Sequence, residues 1–479
     1  MARQYSRQSV DLPSIRSVQA NLILALRELL TRTSHKAWIF TGIAIRQAQV
    51  LRLGREYYSR VSNRQMEVQR RTFWACLVMD RLVSYGCWRP QMIDLDCVAI
   101  NLPCPENSFA FEQPFDGHKL GALPFPCDSA GLGMLPYFIS VLNLWAQATY
   151  IQIKGGRRYI NQQPSNSVSL LSDLETKLED FHKSIPVSMQ WSAQNLKVFR
   201  HTSQEGLFIN FHFLLLNARC VMNQEYLPYP DGTAPNSSEI SHERQEAITA
   251  ACVYSSETTI TIMNELWHAD DISKRHLQSV FAAAALLSAV NTQLWLQYVR
   301  DPESETSQRA QTRVQEVATI LESWKPQWPV ADAWLRTLVS LCDLYEDAYG
   351  SNVNYDDGSQ GGHHTTLLLD NGNDQERSVA RLTEGNGLPE IKTRMVDRIR
   401  FTLLSSLEDL DARERALKAS MRTAKHHVAV SEDYAGGFEY WNSEDLELGL
   451  PELYLDEWPG LFDTAIAPGS SIETDGTQV

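Results

Sequence analysis

None of the eight cysteines in this 479-residue sequence forms a C-x-x-C pair; Cys76, Cys87, Cys97, Cys104, Cys127, Cys220, Cys252 and Cys342 are scattered, mostly through apolar helical contexts. Reduced core thiols are therefore expected, not a disulfide framework or a zinc site. Long hydrophobic runs are missing as well. The most apolar stretch, Val280 to Val290, is far short of the roughly 20 residues that span a bilayer, and the amino terminus MARQYSRQSV has no apolar signal core. An intracellular protein with no membrane contact is expected. A basic excess is lacking too: the net charge is −15, so phosphate neutralisation, which supplies most non-specific DNA affinity, has no obvious source. Neither G-x-S-x-G, a P-loop, H-E-x-x-H nor a dinucleotide fingerprint is present, leaving nucleophilic, phosphoryl and hydride chemistry without an anchor. Two E-x-x-H pairs, Glu179/His182 and Glu265/His268, have the spacing of di-iron bundle ligands. Twelve histidines among many glutamates produce such a pair by chance, and a di-iron helical-bundle enzyme is kept as a remote alternative.

What the sequence does contain is one distinctive block from Arg70 to Glu106. Ser62 and Gln65 make a capping box that starts a helix near Asn63, and Glu67 stands four residues before Arg71 in the favourable order for an ion pair. Phe73, Cys76, Leu77, Val78, Leu82 and Val83 give a broad apolar face; Gly86 and Pro90 end the helix, and the chain to Pro103 and Pro105 reads as extended. Asp80, Arg81 and Arg89 are then charges at a corner. Because buried charges are paired, Asp80 is expected to meet Arg89 or Arg70 there.

This block resembles the middle regulatory domain of fungal zinc-cluster (Zn2Cys6) transcription factors. Their signature runs Arg-Arg, Phe or Trp, Trp, Asp-Arg, Gly-Arg-Pro, then an acidic stretch ending in Leu-Pro. Arg70, Arg71, Phe73, Trp74, Asp80, Arg81, Arg89, Pro90, Asp94, Asp96, Leu102 and Pro103 fall on it, while Trp88 replaces the usual Gly. The resemblance extends upstream to Ser17–Glu56, which looks like the paired helices preceding the signature, so it covers residues 15–110 best. Independently of it, Val18, Leu22, Leu26 and Leu29 line one helical face; Ser34 caps a second, lined by Phe40, Ile43, Ala44 and Leu51 and closed by Gly54.

Residues 134–350 show further helical periods and no strand alternation: Leu171 to Phe181, Leu207 to Ala218, Ala250 to Leu266, Val280 to Val299, Val314 to Leu321 and Trp334 to Leu344. Trp145, Trp191, Trp267, Trp295, Trp324, Trp328 and Trp334 read as core. The fold class is all-α, with residues 1–350 forming one helical regulatory domain of antiparallel helices. Residues 351–390, rich in Gly, Asn, Asp and Ser, read as a linker in which His363 and His364 have no role. Residues 391–428 read as an amphipathic helix built on Met395, Ile399, Leu403, Leu407 and Leu410, which docks on the body or pairs with another helix. Its basic residues Lys392, Arg394, Arg398 and Arg400 form a solvated face or an import signal.

The last segment, 429–479, interleaves carboxylates with aromatic and aliphatic residues. From Ser431 onward it holds twelve acidic residues and neither Lys nor Arg, so it carries −12 of the net −15. Phe438, Trp441, Leu450, Trp458, Leu461 and Phe462 are candidate anchors of a disordered acidic activation tail that folds onto a coactivator groove; docking on the body and a plain solvated tail are the other readings.

The resemblance implies a nuclear transcription regulator, not an enzyme. Its protein partners would be a coactivator or the general transcription machinery, with a homodimer or a related transcription factor also in view. Region 134–350 is the part in which a small-molecule effector would bind. No cofactor is expected in this chain, because the family's six-cysteine zinc cluster is absent from the sequence; DNA would be reached through a missing module or a partner. Either the chain starts late or the reader was lost. The alternative is an adaptor or inhibitor that acts on a related full-length factor.

Overall fold

The computed structural model describes residues 10–56, 62–85, 89–115, 117–121, 133–156, 167–229, 241–300, 302, 304–349, 395–404 and 406. Among them there is no β-strand, only two isolated bridges, Arg55 with Ala99 and Asn101 with Lys119. Helix α1 (Ile15–Leu30) begins at a capping box made by Ser14 and Ser17. A short turn with Arg32 at φ 61° folds α2 (Ser34–Val50) back onto α1. The cap of α2 is Thr33, without a side-chain hydrogen bond, and Ser34 is instead its first helical residue. The helix ends at Val50, before Gly54; that glycine is required elsewhere, because a Cβ there would stand 3.0 Å from the Phe73 ring. Helix α3 (Asn63–Ser84) starts at the expected Ser62–Gln65 box and packs across α1 and α2.

Beyond the short α4 (Glu106–Ala110) come α5 (Met134–Ile153), α6 (Ser167–Ser184) and α7 (Ala193–His201), then α8 (Glu205–Gln224), α9 (His242–Ala269) and α10 (Asp271–Leu277). Helix α11 (Val280–Trp295) continues as a π turn over Leu296–Arg300, and α12 (Glu305–Trp324), α13 (Ala331–Tyr349) and α14 (Met395–Leu404) complete the set. The period does not announce α7 or α10, which are short and rest on caps: Ser192 accepts from the Asn195 amide, and Asp270 from those of Ile272 and Ser273.

Helix α11 is the centre of the core. Every residue from Val280 to Trp295 is buried, against α8, α9, α12 and α13, and each fully buried Leu or Phe there contributes roughly 1.5–3 kcal/mol. Some of its polar atoms find partners: Tyr345 Oη donates to Asn291 Oδ1 at 3.0 Å, and Gln293 Nε2 to Ser256 Oγ at 2.7 Å; Ser288 Oγ and Asn291 Nδ2 are buried without one among the described residues. Val280–Arg300, 21 residues, is long and apolar enough to cross a membrane, but 94% of its apolar stretch is buried inside the fold, as a core helix requires. Trp145, Trp295, Trp324 and Trp334 are buried, and Trp191, Trp267 and Trp328 pack against the core with one side exposed.

Of the expected helix 391–428, the described part is α14. Met395, Ile399, Leu403 and Leu404 are buried, and α14 docks on α13 and α11. Arg400 is no solvated charge: it is buried and donates to Glu225, Gln152 and Asp397, whereas Arg398 is exposed. The linker 351–390, the helix beyond Ser406 and the tail 429–479 lie outside the described residues, together with Phe438, Trp441, Leu450, Trp458, Leu461 and Phe462.

Candidate functional site

Two buried arginines at successive positions of α3 organise the loop that returns from it. Arg70 makes a two-pronged contact with Glu56, Nε to Oε1 at 2.7 Å and Nη2 to Oε2 at 3.0 Å, and reaches Glu67 Oε2 at 3.3 Å. Arg71 donates to Glu67 Oε1 at 3.0 Å, to both oxygens of Glu106 at 2.9 and 3.0 Å and to the Cys104 carbonyl at 3.2 Å, with its guanidinium 4.3 Å from the Phe109 ring centre. The carboxylates in turn hold backbone: Glu67 accepts from the Cys104 amide at 2.9 Å, and Glu56 from that of Asn101 at 3.0 Å. Trp74 Nε1 donates to the Asn101 carbonyl at 2.8 Å. Residues 101–106 are thus clamped against α3 by charge-assisted hydrogen bonds.

Burial pushes the Glu67 carboxyl up despite its two arginines, whereas at Glu56 burial, the largest single influence, is outweighed by the Arg70 hydrogen bonds and charge, the Asn101 amide and Lys119 acting together, which hold it below the usual range. Next to this network, α3 and the 101–115 segment enclose a cleft of about 430 Å³ lined by Asn63, Arg64, Arg70, Asn101, Phe109 and Phe115 among others.

The second half of the corner corrects the expected pairing. Asp80 meets neither Arg89 nor Arg70; its carboxylate accepts from Arg81 Nη1 at 2.6 Å and from the amides of Met92 and Ile93, each at 2.9 Å. Arg81 spans the same loop by donating to the Ile93 carbonyl at 2.9 Å. Burial pushes the Asp80 carboxyl up, against the pull of Arg81 and the two amides. Arg89 reaches another element, donating to the Ser34 carbonyl at 2.7 Å with its guanidinium 5.8 Å from the Trp38 ring centre, and so ties the exit of α3 to the start of α2. Pro90, Asp94 and Asp96 are exposed; Asp94 accepts from the Asp96 amide and caps a 3₁₀ turn, Leu95–Cys97, inside the stretch expected to be extended. Leu102 and Pro103 are buried, as is Phe73, which stands edge-on to Trp74. Gly86 and Trp88 lie outside the described residues.

The structure therefore brings Arg70, Arg71, Trp74 and the loop to Pro103 into one cluster and Asp80 with Arg81 into another, one to three turns along α3. Glu56 and Glu106 are the partners that sequence reasoning missed. Glu106 carries a local signal, an acid just after Pro105 at a helix start; Glu56 carries none. The E-x-x-H pairs do not assemble a site: Glu179, His182, Glu265 and His268 are all exposed, with Glu179 bonded to Arg219 and Glu265 to Trp191 Nε1. Di-iron ligands project inward. Among the described residues no three metal-ligating side chains cluster.

Comparison with known proteins agrees with this corner. Residues 3–203 match the fungal specific transcription factor domain. An uncharacterised transcriptional regulatory protein of Schizosaccharomyces pombe is 24% identical over 70% of this chain and 53% of its own length. A Zn(2)-C6 fungal-type transcription factor of Fusarium oxysporum f. sp. lycopersici is 28% identical over 46% of this chain and 27% of its own. A second transcriptional regulatory protein of S. pombe is 28% identical over 45% of this chain and 24% of its own. The chain thus spans about half the length of the first relative and about a quarter of the other two. No solved structure gives a significant match. The signature residues are gathered at one corner of a helical fold, within the stretch, residues 3–203, that matches the fungal specific transcription factor domain.

Proposed function

We propose that this chain is a nuclear transcription regulator in which the helical body holds and controls an acidic, aromatic-rich output segment. The observation that carries the reading is the match of residues 3–203 to the fungal specific transcription factor domain, on a corner where Arg70, Arg71, Asp80, Arg81 and Arg89 are engaged in holding the fold. Those charges are structural, which agrees with control through protein contacts and without catalysis. The relatives' names, transcriptional regulatory protein and Zn(2)-C6 transcription factor, support the same role.

In this reading the segment 429–479 recruits a coactivator or the general transcription machinery through Phe438, Trp441, Leu450, Trp458, Leu461 and Phe462, its carboxylates keeping those side chains in water until a groove takes them. DNA is reached through a zinc-cluster module not contained in this sequence or through a partner, either a second copy or a related factor. A small effector is expected in residues 134–350; the cleft beside Arg70, about 430 Å³ and lined by residues from 63–115, lies outside that region and is a second place large enough for one.

The test is to fuse residues 1–479, and a version ending at Val430, to an unrelated DNA-binding domain and to measure reporter output in yeast. Activation by the full chain and loss on truncation supports the proposal. Silence from both fusions overturns the activation role, and an adaptor or inhibitor acting on a related factor then takes its place.

A further inference from the structure

Cys220 on α8 and Cys252 on α9 face one another in the core with their Sγ atoms 3.9 Å apart. Both are buried. Polar groups surround the pair: Thr292 Oγ1 of α11 stands 3.5 Å from Cys220 Sγ and 3.3 Å from Cys252 Sγ, and Gln224 Nε2 donates to Cys220 Sγ at 3.3 Å. The Ser288 carbonyl, 3.7 Å from Cys220 Sγ, is the acceptor on the other side.

An inert buried cysteine sits among apolar groups; donors aimed at a sulfur favour its thiolate, the nucleophilic form. The hydrogen bond from Cys252, with those from Thr292 and Gln224, holds the Cys220 thiol below its ordinary value in spite of burial. The other core thiols have the opposite setting. Cys76 is pushed up by burial and the nearby Asp80, Cys104 is pushed up to about 12 by burial and Glu67, and Cys342 is pushed up to about 12 by burial, Asp343 and Glu346.

We propose that Cys220 and Cys252 are an oxidisable dithiol, which a small hydroperoxide converts to a disulfide fastening α8 to α9. The Cys220 thiolate attacks the peroxide, forming an S–O bond and breaking the O–O bond; for hydrogen peroxide the leaving hydroxide takes the thiol proton and departs as water. Cys252 then attacks the sulfenic sulfur, forming the S–S bond, and the hydroxyl leaves with the second thiol proton as another water. Two thiols lose two electrons and the peroxide gains them. Forming the bond brings the sulfurs from their 3.9 Å separation to about 2.05 Å. Hydrogen peroxide is small and uncharged, and local opening of the helices admits it.

The experiment exposes the full chain to hydrogen peroxide, alkylates it after unfolding and maps the cysteine peptides with and without reductant. The expected product is a Cys220–Cys252 linked peptide, lighter than the two free thiols by roughly 2 Da and reversed by dithiothreitol. The linkage should persist in Cys97→Ser, which removes an exposed thiol without touching the core, and vanish in Cys220→Ser and Cys252→Ser. The Cys97→Ser protein keeps the test decisive if the core variants do not fold. Recovery of both cysteines as alkylated thiols at a dose that oxidises Cys97, or linkage of either to a different cysteine, overturns the proposal.

Discussion

Arg400 Nε donates to Glu225 Oε1 at 2.6 Å across 175 positions of sequence, with both side chains buried. Gln152 Oε1 and Asp397 Oδ1 complete the guanidinium's shell at 3.2 and 2.8 Å. Removing one member of a buried pair strands the other, at a cost of about 3–5 kcal/mol. Arg400→Ala is therefore expected to release α14 before the rest of the fold opens, and hydrogen exchange at residues 395–404 should rise to that of a free helix. The double reversal Glu225→Arg with Arg400→Glu should recover part of the protection; if Arg400→Ala leaves exchange unchanged, the pair does not hold the helix.

Gly156 tests the same docking from the backbone side. It adopts φ 60°, and a Cβ at this position would overlap the Glu225 carboxylate and crowd Arg400 Nη2. Gly156→Ala combines left-handed strain with that overlap. It should loosen α14 about as much as Arg400→Ala does, while a substitution at Gly155, where a Cβ meets open space, should cost only the backbone strain.

Asp80 is the acceptor for one guanidinium and two amides, so Asp80→Asn is expected to leave Arg81 buried without its hydrogen-bonded counter-charge, only Asp94 still acting on it, and to turn an amide group toward the Met92 and Ile93 N–H groups. A loss of about 3–5 kcal/mol follows from breaking a buried pair, visible as a lower denaturation midpoint in urea. Arg89→Ala, at a half-buried position joined to one carbonyl and one hydroxyl of Ser34, should cost about 1–3 kcal/mol. Equal losses would contradict the partition of roles along the corner.

The helices were legible because their signals are local. Ser62 and Gln65 cap α3 where expected, Glu67 meets Arg71 and the apolar period runs through α8, α9, α11 and α13. Partner choice was less legible. Adjacent helical residues do not face each other by spacing, so nothing in the sequence paired Asp80 with Arg81; the length of the Arg81 side chain and the return of Met92 and Ile93 to the helix end decide it. Glu56 and Glu225 reach their arginines only through tertiary folding. The acid-rich spacing of the tail is visible as composition, and composition alone does not say what its aromatic residues touch.

His212 gives the fold a pH dependence with a definite sign. The ring is buried among Phe208, Phe211 and Trp191, and Nε2 contacts the Met189 carbonyl at 3.1 Å, which fixes that nitrogen as the protonated one of a neutral imidazole. Burial pushes its pKa down to about 3, while an unfolded histidine titrates near 6.5. The unfolded state therefore binds more protons than the folded state between these values. The stabilisation is whole above about pH 6.5 and is lost as pH falls toward 3, at up to about 1.4 kcal/mol per pH unit. Urea denaturation at pH 7.5, 6.0 and 5.0 should show that decline, and His212→Gln, which keeps a donor near Met189 but does not titrate, should show a shallower one. Parallel slopes for the two proteins would mean that His212 becomes protonated without cost inside the fold.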